Sequence, residues 1–156
     1  ALAAGVVVST VAVATLAARR TAAAGELVAA QGELFVVQME MTVFAALVAA
    51  AIHFRRRPEF HRRLMLLALI ASLGPAWFRF RYYFPEVGNP LFIYSILLAD
   101  SLILIAMLSD MLRRGRPHRI YVLIGGGMVA LHLVEVFGFA SSPFRAAAAT
   151  IAGPLL

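Results

Sequence analysis

A chain that sets Arg55-Arg56-Arg57 and Arg62-Arg63 between two long apolar runs has few folds open to it. The stretch from His53 to Met65 holds two histidines and five arginines in thirteen residues. Charge at that density stays out of hydrocarbon, so the stretch marks a point where the chain leaves one membrane face and turns back. Arg113-Arg114-Gly115-Arg116-Pro117-His118-Arg119 repeats the same ingredients in the same order. The two clusters read as hinges on one aqueous side.

The runs between them are long enough to cross a bilayer, for which about 20 apolar residues suffice. Composition agrees: 62% of residues are hydrophobic and 14% charged, against roughly 45–50% and 25% in soluble domains. The expected fold is therefore all-α, a single membrane-embedded bundle over residues 1–156 with five crossings. These are placed at residues 1–18, 34–54, 61–83, 91–112 and 117–139. The first lacks a charged leader and a small-residue cleavage site, so it reads as a crossing rather than a signal peptide. Pro58 and Pro117 suit the first turns of the third and fifth crossings, where a missing N–H is harmless. Gly74-Pro75 should kink the third. Crossings two and three, and four and five, would form two antiparallel hairpins, with residues 144–156 as an interfacial tail.

The net charge of +6 is carried by arginine alone. Its confinement to short loops explains it by orientation, so nucleic acid is not an expected partner and the lipid bilayer is. Alternating five crossings puts nine arginines on the hinge side, against Arg19, Arg20, Arg79, Arg81 and Arg145 on the other. That places the N-terminus and the arginine-rich loops in the cytoplasm, with the bacterial inner membrane as the expected host. Cysteine is absent, which removes any disulfide framework. Nucleophilic triads, glycine-rich phosphate loops and Cys/His zinc patterns are missing too. Gly125-Gly126-Gly127 lies inside a crossing, where small residues let helices approach closely.

Chemistry is left to ionisable groups inside the spans, which are expensive there and face the bundle interior with a partner. Counted from the hinge prolines, Glu40 lies 18 residues before Pro58 and Asp100 17 before Pro117. His132 and Glu135 lie 15 and 18 after Pro117, and Arg79 lies 21 after Pro58. At about 1.5 Å per residue these five reach similar depths. The buried polar cluster expected is thus Glu40, Arg79, Asp100, His132 and Glu135, a salt-bridge group locking helices together. The same residues also suit a proton or ion path or a pocket for a polar headgroup. A site for iron or manganese would take Glu40, Asp100, His132 and Glu135 as ligands. The paired Glu-x-x-His motifs of a di-iron bundle are absent.

His61 and His118 begin two helices at the hinge face. Positive helix ends and nearby arginines disfavour their protonation, which leaves neutral imidazoles able to bind haem or metal. Arg57, Arg62, Arg63, Arg116 and Arg119 would then hold haem propionates, or else lipid phosphates.

The run His61-Arg62-Arg63-Leu64-Met65-Leu66-Leu67 resembles a group of small uncharacterised bacterial multi-pass membrane proteins. Arg79, Asp100, Asp110 and Gly115-Arg116-Pro117-His118 take part in the same resemblance, which covers roughly residues 44–133. More distantly, a His followed by Met and a late-helix Arg is similar to membrane domains of b561-type cytochromes and cytochrome oxidase assembly factors. That likeness implies the handling of haem, such as haem b, or of metal, at His61 and His118. His132 lacks a histidine partner at the opposite face, so a two-haem path does not follow.

Three functions are open on these readings. The first is a non-enzymatic membrane component, free-standing, as a homo-oligomer, or as an accessory subunit of a larger energy-transducing complex. The second is a haem- or metal-binding redox module, and the third a small ion or proton transporter or channel.

Overall fold

The computed structural model describes residues 2–156, and the side chains of all of these but Pro75, Phe78, Leu91 and Ser95. The described residues are helical with no strand. In chain order they form α1 (Leu2–Ala23), α2 (Leu27–His53), α3 (Pro58–Ala71), α4 (Gly74–Phe78), α5 (Ala99–Arg114), α6 (Gly126–Gly138) and α7 (Ser142–Ile151). Two wider, π-helical stretches, Leu91–Leu98 and Tyr121–Gly125, lead into α5 and α6.

Among the described residues, four helices are long and apolar enough to cross a membrane: Leu2–Ala23, Leu27–His53, Phe92–Arg114 and Tyr121–Gly138. The expected third crossing is instead broken. Pro58 opens α3 in its first turn, and α3 stops at Ala71. A turn at Ser72 and Leu73 follows, then the five residues of α4, then a tight 3-10 turn over Arg79–Tyr82. Proline cannot complete the backbone ladder of a helix already under way, but it fits the opening turn of a new one. Gly74-Pro75 therefore divides the segment rather than bending it.

The chain groups into two compact units, one of residues 1–45 with 137–156 and the other of residues 46–136. The first is built on small residues. Ala18, Ala30, Ala148 and Ala152 are buried with Leu34, Phe35 and Phe144. Phe35 meets Phe144 edge-on at 5.2 Å. Gly32 lies so close to Phe139 that an added Cβ would sit 2.6 Å from the ring. Residues 142–151, expected within an interfacial tail, form a capped and packed helix. The Ser141 hydroxyl accepts the Phe144 N–H at 3.4 Å, and Phe144 and Ala148 are its buried face.

The second unit is organised around α3, α5 and α6. Arg63 meets Asp110 and Glu59 meets Arg114; a rise along α3 is a descent along α5, so the two run in opposite directions. Asp100 meets His132, while a Cβ on Gly125 would lie 2.7 Å from Ile103. That ordering makes α5 and α6 antiparallel as well. Of the three successive glycines, Gly125 is the one at a close approach; Gly126 and Gly127 have nothing within 4 Å of an added Cβ. Leu64, Leu67, Ile70 and Ile103 fill the interior.

Candidate functional site

The π-helical stretch before α5 delivers Asp100 to the first turn of that helix, where it is 6% exposed. Wide turns of this kind occur often at functional positions. His132 and Glu135 lie three residues apart on α6, hence on one face. They are 7% and 6% exposed. His132 Nδ1 lies 2.9 Å and 3.1 Å from the two Asp100 carboxylate oxygens. A carboxylate only accepts, so Nδ1 carries the proton and donates it in this contact. Beside the pair, a ring nitrogen of His132 and a carboxylate oxygen of Glu135 lie within 4.8 Å of one another. Glu135 Oε1 is buried and, among the described residues, has no hydrogen-bond partner.

The other two residues expected in the cluster are Glu40 and Arg79. Glu40 is half-buried on α2 and belongs to the first unit. Arg79 is exposed at the start of the 3-10 turn after α4. Among the described residues no hydrogen bond or ion pair joins Arg79 to Asp100, His132 or Glu135. The break before Gly74 ends the helix that was to carry it to their level.

The hinges meet each other. Glu59 receives two hydrogen bonds from Arg114, both at 3.0 Å, on the outside of the fold. Phe60 packs edge-on against the His118 ring at 5.3 Å. Arg57 immediately precedes α3, and Gly115 ends α5 in a left-handed conformation, φ 73°. The Arg114 guanidinium holds the Glu59 carboxyl below its ordinary range. Burial, then the charge of Arg63, pushes the His118 imidazole below its ordinary value.

Arg63, expected to reach lipid phosphate or a propionate, is turned inward and 5% exposed. Its Nε and Nη2 donate to the two Asp110 oxygens at 3.0 and 2.9 Å, and Nη1 donates to the Glu59 carbonyl at 2.8 Å. Its guanidinium lies 5.7 Å from the Tyr121 ring centre. Asp110 is the site residue that sequence reasoning passed over. The depth count would have found it: Asp110 is 7 residues before Pro117 and Arg63 is 5 after Pro58. Arg57, Arg62, Arg116 and Arg119 are exposed. An open pocket of about 400 Å³ is lined by Glu59, Arg114, Arg116, Pro117, His118 and Arg119.

The two hinge histidines differ in what they can ligate. His61 Nδ1 lies 2.8 Å from the Ala51 carbonyl, to which it must donate, and this leaves the Nε2 lone pair for a ligand. His118 Nδ1 accepts the Ile120 N–H at 3.3 Å, so a neutral His118 carries its proton on Nε2. Bonding to haem iron through that nitrogen would require the other tautomer and the loss of the backbone contact. Among comparisons with known proteins, no family model, no curated protein and no solved structure matches this chain.

Proposed function

We propose that the chain is a non-enzymatic integral membrane protein, acting as an accessory subunit of a larger energy-transducing complex in the bacterial inner membrane. The observation that carries this reading is the engagement of His132 Nδ1 by both Asp100 oxygens. The pair ties α6 to α5 where sequence reasoning left room for chemistry. Arg63 is likewise taken up by Asp110. Charged groups that close on each other inside apolar helices hold a scaffold together. One further feature supports assembly with other spans. Helix α1 buries only Ala18 among its described residues, which leaves its flanks to lipid and partner helices.

In this reading residues 58–83 complete a fifth crossing in two pieces, α3 and then α4 with its 3-10 turn. The two hairpins are thereby kept, and the hinges and N-terminus face the cytoplasm. The excess of arginine at the hinges and the Glu59–Arg114 contact between them support that orientation. The resemblance to small bacterial multi-pass proteins is consistent with it.

The test has two parts. Extraction in mild detergent should yield the chain in a larger membrane assembly, and Asp100→Leu should lower its thermal stability. A stable isolated protein with unchanged stability in Asp100→Leu would contradict the reading.

A further inference from the structure

Locking helices does not account for Glu135. A buried carboxylate without a hydrogen bond is costly, and the Asp100–His132 pair is complete without it. Yet Glu135 sits one helical turn from His132, on the same face, with a ring nitrogen and a carboxylate oxygen within 4.8 Å of one another. Its Oε1 is orphaned.

The state of His132 bears on what could lie between them. Asp100 takes the Nδ1 proton, and a neutral imidazole so held keeps its lone pair on Nε2, across the ring from Asp100. A carboxylate that orients a histidine through Nδ1 while Nε2 binds metal is the arrangement most metal-ligating histidines adopt. One imidazole and one carboxylate suit a divalent transition ion such as iron, manganese, cobalt or zinc. An ion about 2.1 Å from each ligand atom spans at most about 4.2 Å between them. Atoms within 4.8 Å of one another would close on a common ion through movement of the Glu135 side chain. Binding would partner the orphaned oxygen and neutralise its charge.

We propose that His132 and Glu135 form the protein side of a divalent transition-metal site, with Asp100 as the positioning residue for His132. Asp100 thus moves from the ligand set expected from sequence to the shell behind it. The inference goes beyond the scaffold reading, which concerns stability without metal.

The probe is Co2+ added to detergent-purified, chelator-treated protein, followed by equilibrium dialysis and visible absorption. The wild type should bind one Co2+ per chain. Glu135→Gln and His132→Gln should each weaken binding at least tenfold, and Asp100→Asn about 10–100-fold, as expected for an orienting carboxylate. Glu59→Gln, an exposed carboxylate outside the site, should bind as the wild type does. A measurement on unsubstituted protein guards against variants that fail to fold. With labelled histidine, Co2+ should broaden the His132 resonances and spare those of His53, His61 and His118. Failure of the wild type to bind stoichiometrically would overturn the site. So would full binding by Glu135→Gln, or broadening centred on another histidine.

Discussion

The two compact units hold their helices by different means. In the first, alanines and a glycine bring helices close, and Phe35, Phe139 and Phe144 fill the gap. In the second, Arg63–Asp110 and Asp100–His132 join helices through buried charge. Lipid tails are as apolar as leucine, so apolar burial alone gives membrane helices little reason to associate. Close packing of small residues and polar contacts are the two devices left. The first unit rests on close packing, and the second adds buried polar pairs to it. The first is insensitive to protonation but intolerant of volume. The second fails when one charge is removed alone.

The sharpest way to break that contrast is to remove half of the Arg63–Asp110 pair. Arg63→Leu strands Asp110 and should cost about 3–5 kcal/mol of unfolding free energy. Arg63→Met combined with Asp110→Leu should recover most of it, measured by denaturant titration in micelles. In the first unit Phe144→Ala should cost about 3 kcal/mol through the cavity it leaves, whatever the pH. A loss for Phe144→Ala that varied with pH would erase the distinction between the units.

Asp100→Leu comes next, at about 2 kcal/mol, because His132 loses its buried acceptor. Thermal unfolding reads this directly. Gly125→Ala sharpens the comparison within one run of glycines. Its Cβ would meet Ile103 at 2.7 Å, so the substitution should cost about 1 kcal/mol. Gly127→Ala meets nothing within 4 Å and should instead stabilise α6 by up to about 1 kcal/mol.

The smallest effects belong to the exposed hinge and should appear in pH titration of stability. Glu59 is held below its ordinary range by Arg114. Its contribution is present above the unfolded carboxyl range, near about 4.3, and is lost as pH falls through the lower folded value. His118 is also depressed, by burial. The unfolded chain binds its proton first, so stability begins to fall as pH drops below about 6.5. Arg114→Gln should remove the first of these two acid losses and leave the second. Persistence of both would assign the first to another carboxyl.

These energetics also show where the sequence could be read. Arginines flanking Pro58 and Pro117 are unmistakable, because such charge cannot enter hydrocarbon, and the two hinges they mark lie in contact. Asp100, His132 and Glu135 stood out because ionisable groups are rare in apolar runs. The break after Ala71 was harder to read. Gly74-Pro75 signals a disturbance, but a kinked helix and a new helix start carry the same two residues. Arg79 inherited that ambiguity and ends exposed. The packing of α7 left almost no trace, since a run such as Ala146-Ala147-Ala148-Ala149 has no apolar periodicity to mark a buried face. The wide turns before Asp100 and after Ile120 were not read from the residues either. Asp110 was hidden by Arg63 itself, one more arginine in a cluster read as facing lipid.

A double-mutant cycle on Asp100 and His132 tests the central claim most directly, with unfolding measured in metal-free micelles for Asp100→Leu, His132→Leu and the pair. A buried lock predicts a favourable coupling between the two positions of about 0.5–2 kcal/mol. Strictly additive losses, with no coupling, would contradict the account.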